Sequence, residues 1–173
     1  MEPQPIIPDE LRFAITRKCD GACRHCYNQS GLNVDQLSSD DFIHIIKEVR
    51  TLNPNMDRIT LTGGEPLIEK DKVLNISRFA KSLGIRVRLV TRGWELNPKV
   101  CIELKESGVT RIQIGLDSSG EFDYKEDSQI VWDTLHSWLR VIKRGLVTQL
   151  MQLKQQSVRG WMFQSDIRYA VLI

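Results

Sequence analysis

Long apolar runs are missing from this 173-residue chain, and with them any stretch that would cross a membrane as a helix. The first ten residues carry three prolines and no apolar core of signal-peptide length. A large charge of either sign is lacking too. With 24 basic and 22 acidic residues the net charge is +2, which leaves no electrostatic footprint for nucleic acid or a membrane surface. Cysteine is scarce, at four residues with none after Cys101, so a disulfide-stapled secreted scaffold is excluded. Three of those four stand within eight positions, a crowding that in a reducing compartment points to metal rather than to disulfides. A cytoplasmic protein with one packed core is expected, because 173 residues at 41% hydrophobic content suffice for one domain over 1–173 but hardly for two.

What is present is an alternation of short apolar runs and helix-period segments. Leu11 to Thr16 reads as a strand. Ser38 can cap the next segment with Asp41 three residues on, and Phe42, Ile45, Ile46 and Val49 recur at helical spacing until Leu52-Asn53-Pro54. The pattern returns as strand Arg58 to Thr62, helix Val73 to Leu83, strand Arg86 to Val90, helix Pro98 to Ser107 and strand Arg111 to Leu116, with Gly84 and Gly108 at expected helix ends. A last helix is expected over Ile130 to Arg144; beyond Gly145 the glutamine-rich sequence gives no firm assignment. The fold class is therefore α/β with a parallel sheet, open or curled into a barrel. In either form chemistry gathers at the carboxyl ends of the strands.

Unusual residues stand at those ends. The first strand leads into Cys19-x-x-x-Cys23-x-x-Cys26, whose three thiolates can serve a compact iron-sulfur cluster and leave one position open for chemistry. The alternative is a zinc site completed by His25 or Cys101; His25 adjoins Cys26 awkwardly, and Cys101 lies two β/α units later. Gly63-Gly64-Glu65-Pro66 ends the second strand, where glycines let a backbone approach a ligand or simply form a turn. Thr91-Arg92-Gly93 ends the third and Asp117-Ser118-Ser119 follows the fourth. Thr91 and Asp117 are candidate polar contacts, or else a turn threonine and a cap. Arg92 can bind a carboxylate or phosphate, but reads first as a surface arginine.

The segment Cys19-Asp20-Gly21-Ala22-Cys23-Arg24-His25-Cys26 resembles the signature of the radical S-adenosylmethionine (SAM) superfamily, and Gly63 to Pro66 resembles its GGEP motif. The likeness extends well over 11–117 and loosely over 121–145, nearest the branch of molybdopterin-precursor cyclases and peptide-modifying SPASM-type enzymes. It implies a partial (β/α)6 barrel, incomplete at the C-terminus. It also implies a 4Fe-4S cluster on Cys19, Cys23 and Cys26, and SAM bound by Gly63, Gly64, Glu65 and Pro66 with His25, Thr91 and Asp117 near it. In this family the cluster reduces SAM to a 5'-deoxyadenosyl radical, which abstracts hydrogen from substrate. The resemblance further implies a peptide or nucleotide substrate and an electron donor such as flavodoxin or ferredoxin. Two departures stand out: Arg92 replaces the usual asparagine after the third strand, and Gly115 a serine after the fourth. The rival class is a non-catalytic metal-binding or partner-binding module. At roughly 30 residues per β/α unit, the residues after Asp117 hold one further unit and part of a second. The expected sheet is therefore shortened, with an exposed edge and weak activity in isolation.

Overall fold

The computed structural model describes residues 7–21, 23–24, 26, 36–115, 163–166 and 169–172. Strand β1 (Glu10–Thr16) is followed by helix α1 (Ser39–Leu52), β2 (Arg58–Gly63), a 3-10 turn (Pro66–Glu69) running into α2 (Lys70–Ser82), β3 (Arg86–Thr91), α3 (Pro98–Ser107) and β4 (Val109–Gly115). Two short strands follow, β5 (Phe163–Asp166) and β6 (Tyr169–Leu172).

Local chemistry explains most of these boundaries. The Ser38 side chain accepts from the Asp41 amide and the Asp41 carboxylate accepts from the Ser38 amide, a reciprocal capping box at the start of α1. Asn97 caps α3 through its side chain, with Pro98 in the first turn where a missing N–H costs nothing. Gly108 closes α3 in the left-handed region at φ 110°.

β1 to β4 pair in parallel, in order, with register shifts between Ala14 and Thr16 and between Val87 and Arg88, and their side chains alternate between faces elsewhere. Phe13, Ile15, Ile59, Leu61, Leu89 and Ile112 point to one side and are buried there. Phe42 and Ile46 of α1, Val73 and Ile76 of α2, and Leu104 of α3 close over them as a single core layer. Each such side chain contributes about 1.5–3 kcal/mol on burial.

The far end of the sheet departs from expectation. β6 pairs antiparallel with β4, from Ile112 opposite Leu172 to Gly115 opposite Tyr169, and β5 pairs antiparallel with β6. Beyond β4 the next strand is thus the antiparallel β6, where a further parallel β/α unit was expected. Among the described residues the sheet's margins are β1 and β5. The expected helix over 130–144 lies outside the described residues.

Candidate functional site

Parallel register brings the ends of β1 to β3 to one rim: Thr16 stands opposite Gly63, and Thr91 opposite Ile114 of β4. The β1–β2 pairing does not stop with the strands. The Gly64 amide donates to the Thr16 carbonyl at 2.7 Å and the Glu65 amide to the Lys18 carbonyl at 2.9 Å, carrying the ladder into the cysteine loop. The two glycines are required by this contact. A Cβ at Gly63, whose φ is +133°, would sit 2.3 Å from the Thr16 carbonyl oxygen, and one at Gly64 would sit 2.2 Å from that of Lys18. The close approach that these glycines allow is to the protein's own backbone. Lys18 adds a further tie, its Nζ lying 2.5 Å from Glu69 Oε1 and holding that carboxyl below its usual range.

Glu65 points inward and is 1% exposed. A buried carboxylate is tolerable only when hydrogen-bonded and paired, and Glu65 has four donors. Its Oε1 accepts from the Thr91 hydroxyl at 2.6 Å and the Leu67 amide at 3.1 Å. Its Oε2 accepts from the Arg92 amide at 2.9 Å and from Arg92 Nε at 3.3 Å. Arg92 itself is not a surface residue, as expected from its type, but 5% exposed. Its Nη2 donates to Asp20 inside the cysteine motif, and its guanidinium lies over the Trp94 ring at 5.6 Å. The physical reason for its burial is this pair of carboxylates, one on each side. Thr91, Glu65 and Arg92 therefore lock the ends of β2 and β3 to the loop leaving β1. Asp20 and Arg92 escaped the sequence reading as a pair. The available signal was an acid within the cysteine motif together with a base where relatives carry asparagine.

Cys19, Cys23 and Cys26 are partly buried. The Gly21 amide donates to Cys19 Sγ at 3.4 Å, and the Cys26 amide to the Cys23 carbonyl at 3.1 Å, turning the loop between the second and third cysteines. Cys101 is apart, inside the core on α3, its thiol pushed up to about 11 by burial. Among the described residues no three His, Cys, Asp or Glu side chains are already gathered as a ligand set. The donor set nevertheless fits an iron-sulfur cluster: three cysteine sulfurs on one loop, an amide aimed at the first, and beside it a buried Arg92 Nη1 with no acceptor. His25 and Asp117 lie outside the described residues.

The sheet face opposite the helices is polar and basic. Arg12, Thr60, Arg88 and Arg111 stand in one row across β1 to β4, with Arg58 and Glu10 at the neighbouring register. Glu10 accepts from Thr60 at 2.8 Å and from Arg58 at 3.3 Å, and lies 3.5 Å from Arg12. Burial raises the Glu10 carboxyl's pKa, but the Thr60 hydroxyl and the surrounding arginines outweigh it and leave the pKa below the ordinary value. Burial lowers the Arg88 guanidinium, as do Arg111, Arg58 and Arg12, with Glu10 opposing. Arg88 Nε is buried without a partner. Three guanidinium groups, Arg12, Arg58 and Arg88, thus share the Glu10 carboxylate.

The family model of the Radical SAM superfamily matches residues 13–146, and the chain belongs to that superfamily, whose cofactors are a 4Fe-4S cluster and SAM. Among curated proteins it is 32% identical over 114 residues to an AdoMet-dependent heme synthase of Methanosarcina barkeri, covering 65% of this chain and 32% of that protein. It is 32% identical over 112 residues to the GTP 3',8-cyclase of Geobacter sulfurreducens, covering 62% and 34%. The GTP 3',8-cyclase of Moorella thermoacetica is 34% identical over 121 residues, covering 66% and 36%. The chain spans about a third of the length of these relatives. Streptococcus suis SuiB, solved with its precursor peptide SuiA, shares the fold at TM-score 0.52 and 18% identity, over 86% of this chain and 36% of SuiB. The structure of SuiB bound to S-adenosylmethionine gives the same score over 37% of SuiB. The α/β architecture with four parallel strands agrees with the partial barrel expected from the sequence. No helix among the described residues is long and apolar enough to cross a membrane.

Proposed function

We propose that this chain is the cluster-bearing and SAM-binding part of a radical SAM enzyme, with Cys19, Cys23 and Cys26 as cluster ligands and the Gly63–Pro66 segment, Thr91, His25 and Asp117 around SAM. The observation that carries the reading is the three-thiol loop hydrogen-bonded into the same rim as the Gly63–Pro66 segment. When bound, cluster and SAM supply electron transfer and a 5'-deoxyadenosyl radical that takes hydrogen from substrate. The chain's own residues hold and orient. Glu65 spends its carboxylate on Thr91 and Arg92, so recognition of SAM by this segment falls to its backbone groups. The arginine row favours an anionic substrate, and hence a nucleotide over a neutral peptide. An electron donor such as flavodoxin or ferredoxin completes the cycle.

Anaerobic reconstitution tests this. The expected result is about four iron and four sulfide per chain with broad visible absorption, and a changed electron-paramagnetic-resonance spectrum on adding SAM to the reduced protein. Stoichiometric zinc with no iron uptake would instead identify a non-catalytic metal-binding module.

A further inference from the structure

Arg92 makes more contacts than fixing a strand end requires. Its amide and Nε are committed to Glu65 and its Nη2 to Asp20, while Nη1 is buried with no acceptor. A buried guanidinium nitrogen without a partner is rare and calls for a reason. Its location supplies one. A Cβ built on Gly21 would lie 2.7 Å from Arg92 Nη1 and 3.7 Å from Cys19 Sγ, so the nitrogen and the first cysteine's sulfur flank the same point beside Gly21. Gly21 is the residue whose amide already donates to that sulfur.

We propose that Arg92 is a positioning residue for the cysteine loop, holding Asp20 against Glu65 and presenting Nη1 to the sulfur side of the bound cluster, where it raises the reduction potential. The inference rests on the cluster reading given above. Adding an electron makes a cluster more negative, and both a cation and a donor to sulfur favour that reduced form. Loss of Arg92 acts in the same direction twice: it removes the donor and leaves the carboxylates of Asp20 and Glu65 without their counter-ion. Gly21 and Arg92 form one fit, because a methyl at position 21 would lie 2.7 Å from Nη1 and force the guanidinium to shift.

The test uses the full chain, reconstituted anaerobically, in wild-type form and as Arg92→Gln, Arg92→Lys, Gly21→Ala and Gly21→Ala/Arg92→Gln. Iron and sulfide per chain are measured first, then the midpoint potential by titration followed with electron paramagnetic resonance. Arg92→Gln should bind iron yet shift the reduction equilibrium at least tenfold toward the oxidised cluster, about 59 mV for a one-electron couple. Arg92→Lys, which keeps the charge, should retain most of the wild-type potential. Gly21→Ala should lower the potential in the Arg92 background and add nothing in the Arg92→Gln background. If Arg92→Gln does not fold, Gly21→Ala and Arg92→Lys carry the test. An unshifted midpoint in iron-replete Arg92→Gln, or in Gly21→Ala when that carries the test, or additive effects of the two substitutions, would overturn the proposal. Wild-type chain that takes up no iron would overturn the cluster reading, and this inference with it.

Discussion

Gly64→Ala is the sharpest probe of how the rim is built. Gly64 has no positive φ, so the alanine backbone itself is unstrained and the entire cost comes from space. The new methyl would stand 2.2 Å from the Lys18 carbonyl oxygen, 2.8 Å from its carbon and 3.0 Å from the Arg17 carbonyl oxygen, all backbone atoms that cannot swing aside. Forcing a methyl into packed surroundings costs about 1–3 kcal/mol. Moving the loop away to admit it stretches the Gly64–Thr16 and Glu65–Lys18 bonds, at about 0.5–1.5 kcal/mol each. The sum is roughly 2–6 kcal/mol, or a fall in Tm of roughly 4–24 °C at about 2–4 °C per kcal/mol for a chain of this size. Thermal unfolding followed by circular dichroism measures it, with Gly84→Ala as the control. Gly84 has φ +70° but nothing within 4 Å of a Cβ, so that change carries only backbone strain of about 1–2 kcal/mol. If Gly64→Ala unfolds within 1 °C of wild type, the contact of this segment with the cysteine loop is not what the geometry indicates.

Other expectations concern the thiols and the arginines. Cys19→Ala, Cys23→Ala and Cys26→Ala should each abolish iron uptake after reconstitution, while Cys101→Ala keeps it; iron loss in Cys101→Ala equal to that in Cys26→Ala would remove the three-ligand assignment. The Cys101 thiol ionises near 9.0 in the unfolded chain and at about 11 in the folded one. Its neutral form therefore contributes stability that is complete below pH 9 and is lost between pH 9 and 11, on the order of 2–3 kcal/mol. In denaturant melts the gap between wild type and Cys101→Ala should be constant below pH 9 and change by that amount between pH 9 and 11, to the disadvantage of wild type; parallel pH profiles would contradict the burial. Arg88→Glu should weaken binding of a nucleoside triphosphate by roughly 10–100-fold, the scale of one charged hydrogen bond, and calorimetry showing unchanged affinity would exclude the basic face as its site.

Much of the fold is legible because it rests on local signals. Ser38 and Asp41 announce α1 and form the capping box seen there, and Pro98 with Gly108 brackets α3 at the bounds expected. The start of α2 is less visible. Residues Pro66–Glu69 coil as a 3-10 turn and pass straight into Lys70-Asp71-Lys72, a polar first turn with no apolar period to mark it. β5 and β6 were illegible for a different reason: a short antiparallel pair on the edge of a parallel sheet is chosen by tertiary pairing, and the glutamine-rich approach to it has no alternation. In the candidate site the cysteines and glycines are conspicuous as motifs, whereas the roles of Glu65 and Arg92 depend on which strand ends meet. The basic face could have been read from Glu10-x-Arg12, Arg86-x-Arg88 and the arginine at 111, since a period of two sends such residues to one side.

The two amides that carry the β1–β2 ladder past Gly63 into Lys18 make the base of the cysteine loop a continuation of the sheet. A loop hung from a strand end by its peptide bonds alone can fray while the domain stays folded. The Lys18 end of this one is bonded as well to Glu65 across the ladder, beside strands whose side chains Ile15, Ile59 and Leu61 are at most 1% exposed. Freeing the Arg17–Lys18 base of the loop therefore means opening the rim end of the β1–β2 pairing. On heating, the base of the loop should loosen together with the rim end of the β1–β2 pair.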